Sequence, residues 1–123
     1  MDNIRKKIIL VDDFKINLDL GRSILGPSYQ VYPATTAAKM FDYLDKFIPD
    51  LILLDIEMPE MNGYEALKLL KADKRYAHIP VIFLSGKSDS ESEQGGLELG
   101  AADYVMKPFS SQLLIECIEK HIL

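Results

Sequence analysis

Cysteine is nearly absent from this chain. Cys117 stands alone among 123 residues, which excludes an internal disulfide and suits a reducing compartment. His78 and His121 are the only histidines. Neither they nor Cys117 show the close spacing of a zinc module, so both histidines read as surface residues and Cys117 as a small core residue in a helical apolar pattern. Long apolar runs are missing too. Nothing approaches the roughly 18 residues of a membrane span, and the N-terminus lacks the apolar stretch of a secretory leader, so a cytoplasmic protein without membrane contact is expected. Basic residues are in the minority, 14 Lys and Arg against 19 Asp and Glu for a net charge of -5. That balance argues against direct nucleic-acid binding, which needs clustered Lys and Arg. The one basic cluster, Arg5-Lys6-Lys7, reads as a solvated entry to the first strand. There is no low-complexity tract and no linker, and the length suits one domain, residues 1–123.

What the chain does have is a set of short apolar runs, each followed by a polar residue. Ile8-Ile9-Leu10-Val11 ends in Asp12-Asp13, Leu51-Ile52-Leu53-Leu54 in Asp55, Val81-Ile82-Phe83-Leu84 in Ser85, and Tyr104-Val105-Met106 in Lys107. Runs without alternation predict strands buried on both faces, as in a parallel sheet. Tyr29 to Tyr32, framed by Pro27 and Pro33, predicts an edge strand. Helical periodicity fills the gaps. Ile16, Leu20 and Ile24 mark a first helix; Met40, Phe41, Leu44, Phe47 and Ile48 a second behind Thr35-Thr36; Ala66, Leu67, Leu69 and Leu70 a third. Ser88 to Leu99 predicts a weaker fourth helix, with Gly95 and Gly96 inside it at about 1 kcal/mol each. Leu113, Leu114, Cys117, Ile118 and Ile122 predict a fifth, capped by Ser110 or Ser111. Five strand-helix repeats imply a single doubly wound α/β domain with a five-stranded parallel sheet and five helices. The flavodoxin-like order 2-1-3-4-5 puts the Pro-framed strand outside.

In that order the strand ends share one edge of the sheet, where ligands of open α/β folds bind. Asp55 lies one strand from Asp12-Asp13 and one strand from Ser85, while Lys107 is two strands away, about 10 Å at the backbone. Any one of these residues alone reads as a cap, a loop hydroxyl or surface charge. Together they place three carboxylates, a hydroxyl and an ammonium around one small ligand. The carboxylates repel, which calls for a counter-ion, and all-oxygen ligands suit Mg²⁺. A cation and an ammonium flanking a carboxylate suit the oxygens of a transferring phosphoryl group, with Asp55 as nucleophile and Ser85 as hydrogen-bond donor.

These residues resemble the receiver domain of two-component response regulators, of the chemotaxis-regulator type, over essentially the whole chain. The resemblance is carried by Val11-Asp12-Asp13 with Asn17, by Leu54-Asp55-Ile56-Glu57-Met58-Pro59-Glu60-Met61-Asn62-Gly63, by Phe83-Leu84-Ser85-Gly86, and by Gly100-Ala101-Ala102-Asp103-Tyr104-Val105-Met106-Lys107-Pro108-Phe109. It implies that Asp55 accepts a phosphoryl group from a sensor histidine kinase or phosphotransfer protein. It implies that Mg²⁺ is held by Asp13 and Asp55 directly, by Asp12 partly through water and by the carbonyl of Glu57. Lys107 would pair with the phosphoryl group, its bond to Pro108 being cis in this family, and Gly86 would leave room for the loop after Ser85 to close. Ser85 and Tyr104 would form the switch that remodels the face of the fourth helix, fifth strand and fifth helix. That face would serve an output domain, an effector protein or a homodimer. Serine at position 85 replaces the commoner threonine, and Glu57 and Lys87 occupy the two variable positions that tune dephosphorylation. The last helix ends near Leu123, which fits a stand-alone regulator or a receiver joined to an output domain. The stretch from Ser88 to Lys107 looks slightly more like receivers that precede cyclic-di-nucleotide enzymes than like chemotaxis regulators.

Two other readings compete. A Mg²⁺-dependent aspartyl-phosphate phosphatase would carry a second Asp where Glu57 stands, and a cap insert that these short crossovers have no room for. A pseudo-receiver that never takes phosphate would have lost part of the acidic cluster or the lysine, and all of them are present.

Overall fold

Five parallel strands form one sheet in the order β2-β1-β3-β4-β5, as the run pattern predicts. The computed structural model describes residues 5–86, 97–107 and 110–122. Its elements are β1 (Lys7–Val11), α1 (Lys15–Leu25), β2 (Gln30–Ala34), α2 (Ala37–Leu44), β3 (Leu51–Asp55), α3 (Gly63–Ala72), β4 (Val81–Ser85), β5 (Asp103–Met106) and α4 (Ser111–His121). Four helices are therefore described where five were expected. Most of the expected helix over Ser88 to Leu99, with both of its capping boxes and Gly95-Gly96, lies outside the described residues. Only its end is seen, where Leu97 and Glu98 are helical and the Gly100 amide donates to the Leu97 carbonyl.

The unbroken apolar runs are explained by two cores, one on each face of the sheet. Ile9, Val11, Ile52, Leu54, Val81 and Phe83 pack with Met40 and Leu44 of α2 and with Ala66, Leu67 and Leu70 of α3. Their neighbours in sequence, Ile8, Leu10, Leu51, Leu53, Ile82, Leu84 and Val105, pack with Leu18 and Leu25 of α1 and with Leu114, Cys117 and Ile118 of α4. Successive strand residues point to opposite faces, so burial of both faces requires an apolar residue at every position. Cys117 is a core residue as expected.

Three elements differ from the sequence reading. α1 buries Leu18, Gly21 and Leu25, while Ile16 and Leu20 are 77% and 41% exposed. Gly21 explains this rotation, because a Cβ there would lie 2.5 Å from a methyl of Leu10. The helix approaches the sheet on its glycine. β2 runs from Gln30 to Ala34 and so contains Pro33 instead of stopping before it. Only β1 pairs with β2, and the Pro33 carbonyl accepts from the Tyr43 hydroxyl at 2.7 Å, so the missing N–H falls on the open edge, where it costs no ladder bond. α2 ends at Leu44, leaving Ile48 beyond it and exposed. The Thr36 hydroxyl caps α2 from the Lys39 amide and Ser110 caps α4 from the Leu113 amide.

Gly63, the first residue of α3, fixes the loop after β3. Its amide donates to the Ile56 carbonyl at 2.8 Å, and a Cβ there would stand 2.4 Å from the Asp55 carbonyl oxygen. That neighbour is backbone and cannot swing away. Gly63→Ala should therefore destabilise the domain by about 1–3 kcal/mol, whereas Gly21→Ala meets a side-chain methyl of buried Leu10 that can repack, and about 1 kcal/mol of helix propensity offsets part of that cost, so its loss should be smaller. Urea unfolding of the two variants checks this; equal losses would contradict it.

Candidate functional site

The register of the sheet brings the strand ends together. Val11 pairs with Leu54, Asp55 with Leu84, and Ser85 with Met106, so Asp12-Asp13, Asp55, Ser85 and Lys107 lie along one edge. The Lys107 amide donates to the Ser85 carbonyl at 2.7 Å, which carries the β4–β5 ladder one residue further and delivers the lysine to the site. Its ammonium donates to Asp55 Oδ1 at 3.0 Å and to Asp12 Oδ2 at 3.2 Å. The two-strand gap is thus spanned by side-chain length. Asp12, Asp55 and Ser85 are only 0%, 2% and 4% exposed, so this is a low-dielectric ion cluster and not surface charge.

The three carboxylates are not equivalent. Asp12 uses both oxygens, one on the Lys107 ammonium and the other on the Phe14 amide at 2.9 Å. Among the described residues Asp13 Oδ1 and Asp55 Oδ2 are buried without a hydrogen-bond partner, and one oxygen from each of Asp12, Asp13 and Asp55 lies within 4.8 Å of the others. Buried polar atoms left unpaired cost roughly 1–3 kcal/mol or more. Two orphaned carboxylate oxygens in an all-oxygen cluster fit a hard divalent cation of the Mg²⁺ type. Burial, then the Asp12 charge, push the Asp55 pKa up to about 7, against the hydrogen bond and charge of Lys107, with a contact to Asp13 raising it further. Burial pulls the Lys107 ammonium down, but its bonds and charge interactions with Asp55 and Asp12 outweigh that and leave its pKa above the ordinary lysine value.

A cleft of about 620 Å³ opens over the cluster, lined by Asp13, Asp55, Glu57, Ser85, Gly86 and Lys107. Phe14, Met58, Pro59, Asn62 and Tyr64 also line it, and sequence reasoning gave none of these a part in the site. Tyr64 is held edge-on to Phe83 with centroids 5.4 Å apart. Asn62 forms a reciprocal capping box with Glu65 at the start of α3, an Asn-x-x-Glu spacing that is legible in sequence. Glu60, in the same loop, has a φ of 70°, left-handed backbone that a non-glycine residue adopts at about 1–2 kcal/mol. Among the described residues, a Cβ on Gly86 would meet nothing within 4 Å. Tyr104 is half-buried, beside Phe83 in the ladder and packed on the core of the α2–α3 face. Pro108 lies outside the described residues. His121 does not stand alone at the surface: its Nε2 lies 3.0 Å from Asp103 Oδ2, a contact made across the α4–β5 packing.

Comparison with known proteins gives a consistent family. Residues 8–119 match the model of the response regulator receiver domain. The chain is 44% identical over 94% of its length to a Vibrio cholerae protein named Probable cyclic di-GMP phosphodiesterase, but spans only 26% of that protein. It is 35% identical to the polar-differentiation response regulator DivK of Brucella ovis, covering 95% of this chain and 96% of that one. Its fold matches the receiver domain of sensor histidine kinase PA1611 from Pseudomonas aeruginosa PAO1, at a TM-score of 0.86 and 24% identity over 95% and 97% of the two chains. That structure holds a magnesium ion coordinated in its active site cleft.

The raised Asp55 pKa has a stability consequence. In the unfolded chain an Asp ionises near about 3.9, while the folded state holds the proton up to about 7. The contribution is complete below the lower value and is lost as pH rises through the upper one. Asp55→Asn should therefore gain at least about 1 kcal/mol more over the parent at pH 8 than at pH 4. Denaturant unfolding at the two pH values measures it, and a gain independent of pH would count against the buried, proton-retaining Asp55.

Proposed function

The chain belongs to the response regulator receiver domain family, the phosphorylation-regulated switches of two-component systems, and from that premise we propose that Asp55 is its phosphoryl acceptor. The observation that carries this reading is the state of Asp55: buried, bonded to Lys107 through one oxygen and unpaired at the other, at the floor of an open cleft. A carboxylate oxygen of Asp55 attacks phosphorus of a phosphohistidine on a sensor histidine kinase or phosphotransfer protein. The P–N bond breaks, and the departing imidazole retains its electron pair and takes a proton. Lys107 compensates the phosphoryl charge from beside Asp55, and the Ser85 hydroxyl donates to a phosphoryl oxygen.

Receiver domains bind Mg²⁺ at an acidic pocket, and here Asp12, Asp13, Asp55 and the Glu57 carbonyl would hold it. When bound, the ion would supply charge neutralisation at the phosphoryl oxygens. Asp12, already satisfied on both oxygens, mainly anchors Lys107, which leaves Asp13 and Asp55 as the direct ligands. Receiver domains are signalling switches and not classical enzymes, which sets the phosphatase reading aside.

We take residues 1–123 as one receiver domain in the cytoplasm. Ser85 moving to the phosphoryl group would draw Tyr104 inward from β5, with Gly86 giving the loop its freedom and Pro108 fixing the backbone after Lys107. The surface remodelled is that of the expected helix over Ser88 to Leu99, β5 and α4, which would engage an output domain, an effector protein or a second copy. The likeness to the Vibrio cholerae protein supports a cyclic di-GMP output.

Acetyl phosphate with Mg²⁺ should add one phosphoryl group to the parent and none to Asp55→Asn, read by intact mass spectrometry. No adduct on the parent, or an undiminished one on the variant, would overturn the assignment. Activation with beryllofluoride should alter amide exchange most between Gly86 and Lys107; change confined to α2 would contradict the proposed surface.

A further inference from the structure

The far end of β5 carries a second group of ligating side chains, separate from the carboxylate cluster. Asp103 opens β5, four residues or about 13 Å along an extended strand from Lys107. Cys117 and His121 lie one turn apart on α4, so their side chains share a face. One ligand atom from each of the three lies within 4.8 Å of the others. His121 Nε2 and Asp103 Oδ2 are 3.0 Å apart, with side chains 26% and 30% exposed, while Cys117 is buried. The Tyr104 amide donates to Asp103 Oδ1 at 2.9 Å. That bond fixes the carboxylate and leaves Oδ2 beside the histidine, the kind of outer-sphere support that orients metal ligands. A cleft of about 480 Å³ reaches both Asp103 and Cys117, giving an entry path.

We propose that Asp103, Cys117 and His121 form a binding site for a divalent ion of the zinc class, with a fourth position left to water. One sulfur, one imidazole nitrogen and one carboxylate oxygen suit a borderline-soft ion in tetrahedral geometry. They do not suit Mg²⁺ or Ca²⁺, which take oxygen ligands. Without a cation the Cys117 thiol is held protonated by burial and by its bond and charge contact with Asp103, its pKa pushed up to about 12. Binding breaks the S–H bond, releases that proton to solvent and gives the sulfur electron pair to the ion, whose charge removes the Asp103 penalty. One ligand comes from β5 and two from α4, so the ion ties the last helix to the edge of the sheet. The site does not depend on phosphorylation of Asp55.

The test uses tag-free, chelator-treated protein titrated with Co²⁺, followed by ZnCl₂ competition against a chromophoric chelator. The parent should show a near-ultraviolet thiolate-to-cobalt band saturating at one equivalent. Asp55→Asn should keep that band, which separates this site from the carboxylate cluster. Cys117→Ser should lose the band, and His121→Ala, a half-exposed position that leaves the core intact, should weaken binding by about 10–100-fold or more. Absence of a thiolate band in the parent, or parent-like affinity in His121→Ala, would reduce the cluster to a His121–Asp103 pair beside a core cysteine and overturn the proposal.

Discussion

A single half-buried ammonium bonds two of the three carboxylates gathered at the edge of this sheet. Lys107 reaches from the end of β5 across β4 to bond Asp55 and Asp12 at 3.0 and 3.2 Å, and it does so where the aspartates are shielded from water. One positive charge cannot balance three negative ones in a low dielectric. The surplus appears as an Asp55 proton retained to about 7 and as two orphaned carboxylate oxygens. The fold is arranged around that imbalance. Placing β3 between β1 and β4 makes Asp12-Asp13 and Ser85 the immediate neighbours of Asp55, and the Lys107-to-Ser85 backbone bond extends the ladder that carries the lysine towards them.

Such a site is poised and not at rest. A ligand that brings positive charge would relieve the carboxylates, and one that brings phosphoryl oxygens would give Lys107 and Ser85 new partners. Ser85 sits on β4 beside Met106, and Phe83 beside Tyr104, so a shift of the Ser85 loop reaches the β5 edge through adjacent rungs.

Much of this was legible in the chain because strands buried on both faces leave an unmistakable pattern: Ile8 to Val11, Leu51 to Leu54 and Val81 to Leu84 each end on a site residue. The face of α1 was misread because apolar periodicity counts side chains, and this helix meets the sheet through Gly21, which has none. Pro33 frames the expected edge strand in sequence but lies inside β2, because on an open edge its missing N–H costs no ladder bond. The resemblance separates Asp13, a direct cation ligand, from Asp12, a partly water-mediated one; the Phe14 amide and Lys107, which occupy both Asp12 oxygens, give that difference a physical reason. The pairing of His121 with Asp103 spans 18 residues and depends on α4 packing beside β5, and no local signal carries that.

Burial and its neighbours hold the Asp55 pKa well above the ordinary carboxylate value, and a bound cation would lower it. Carbonyl-carbon NMR of Asp-labelled protein, with Asp55→Asn to assign the resonance, measures this directly. Asp55 should titrate near 7 without divalent ions and fall by at least about one unit when Mg²⁺ is added. A titration near 4 that Mg²⁺ leaves unmoved would contradict the account.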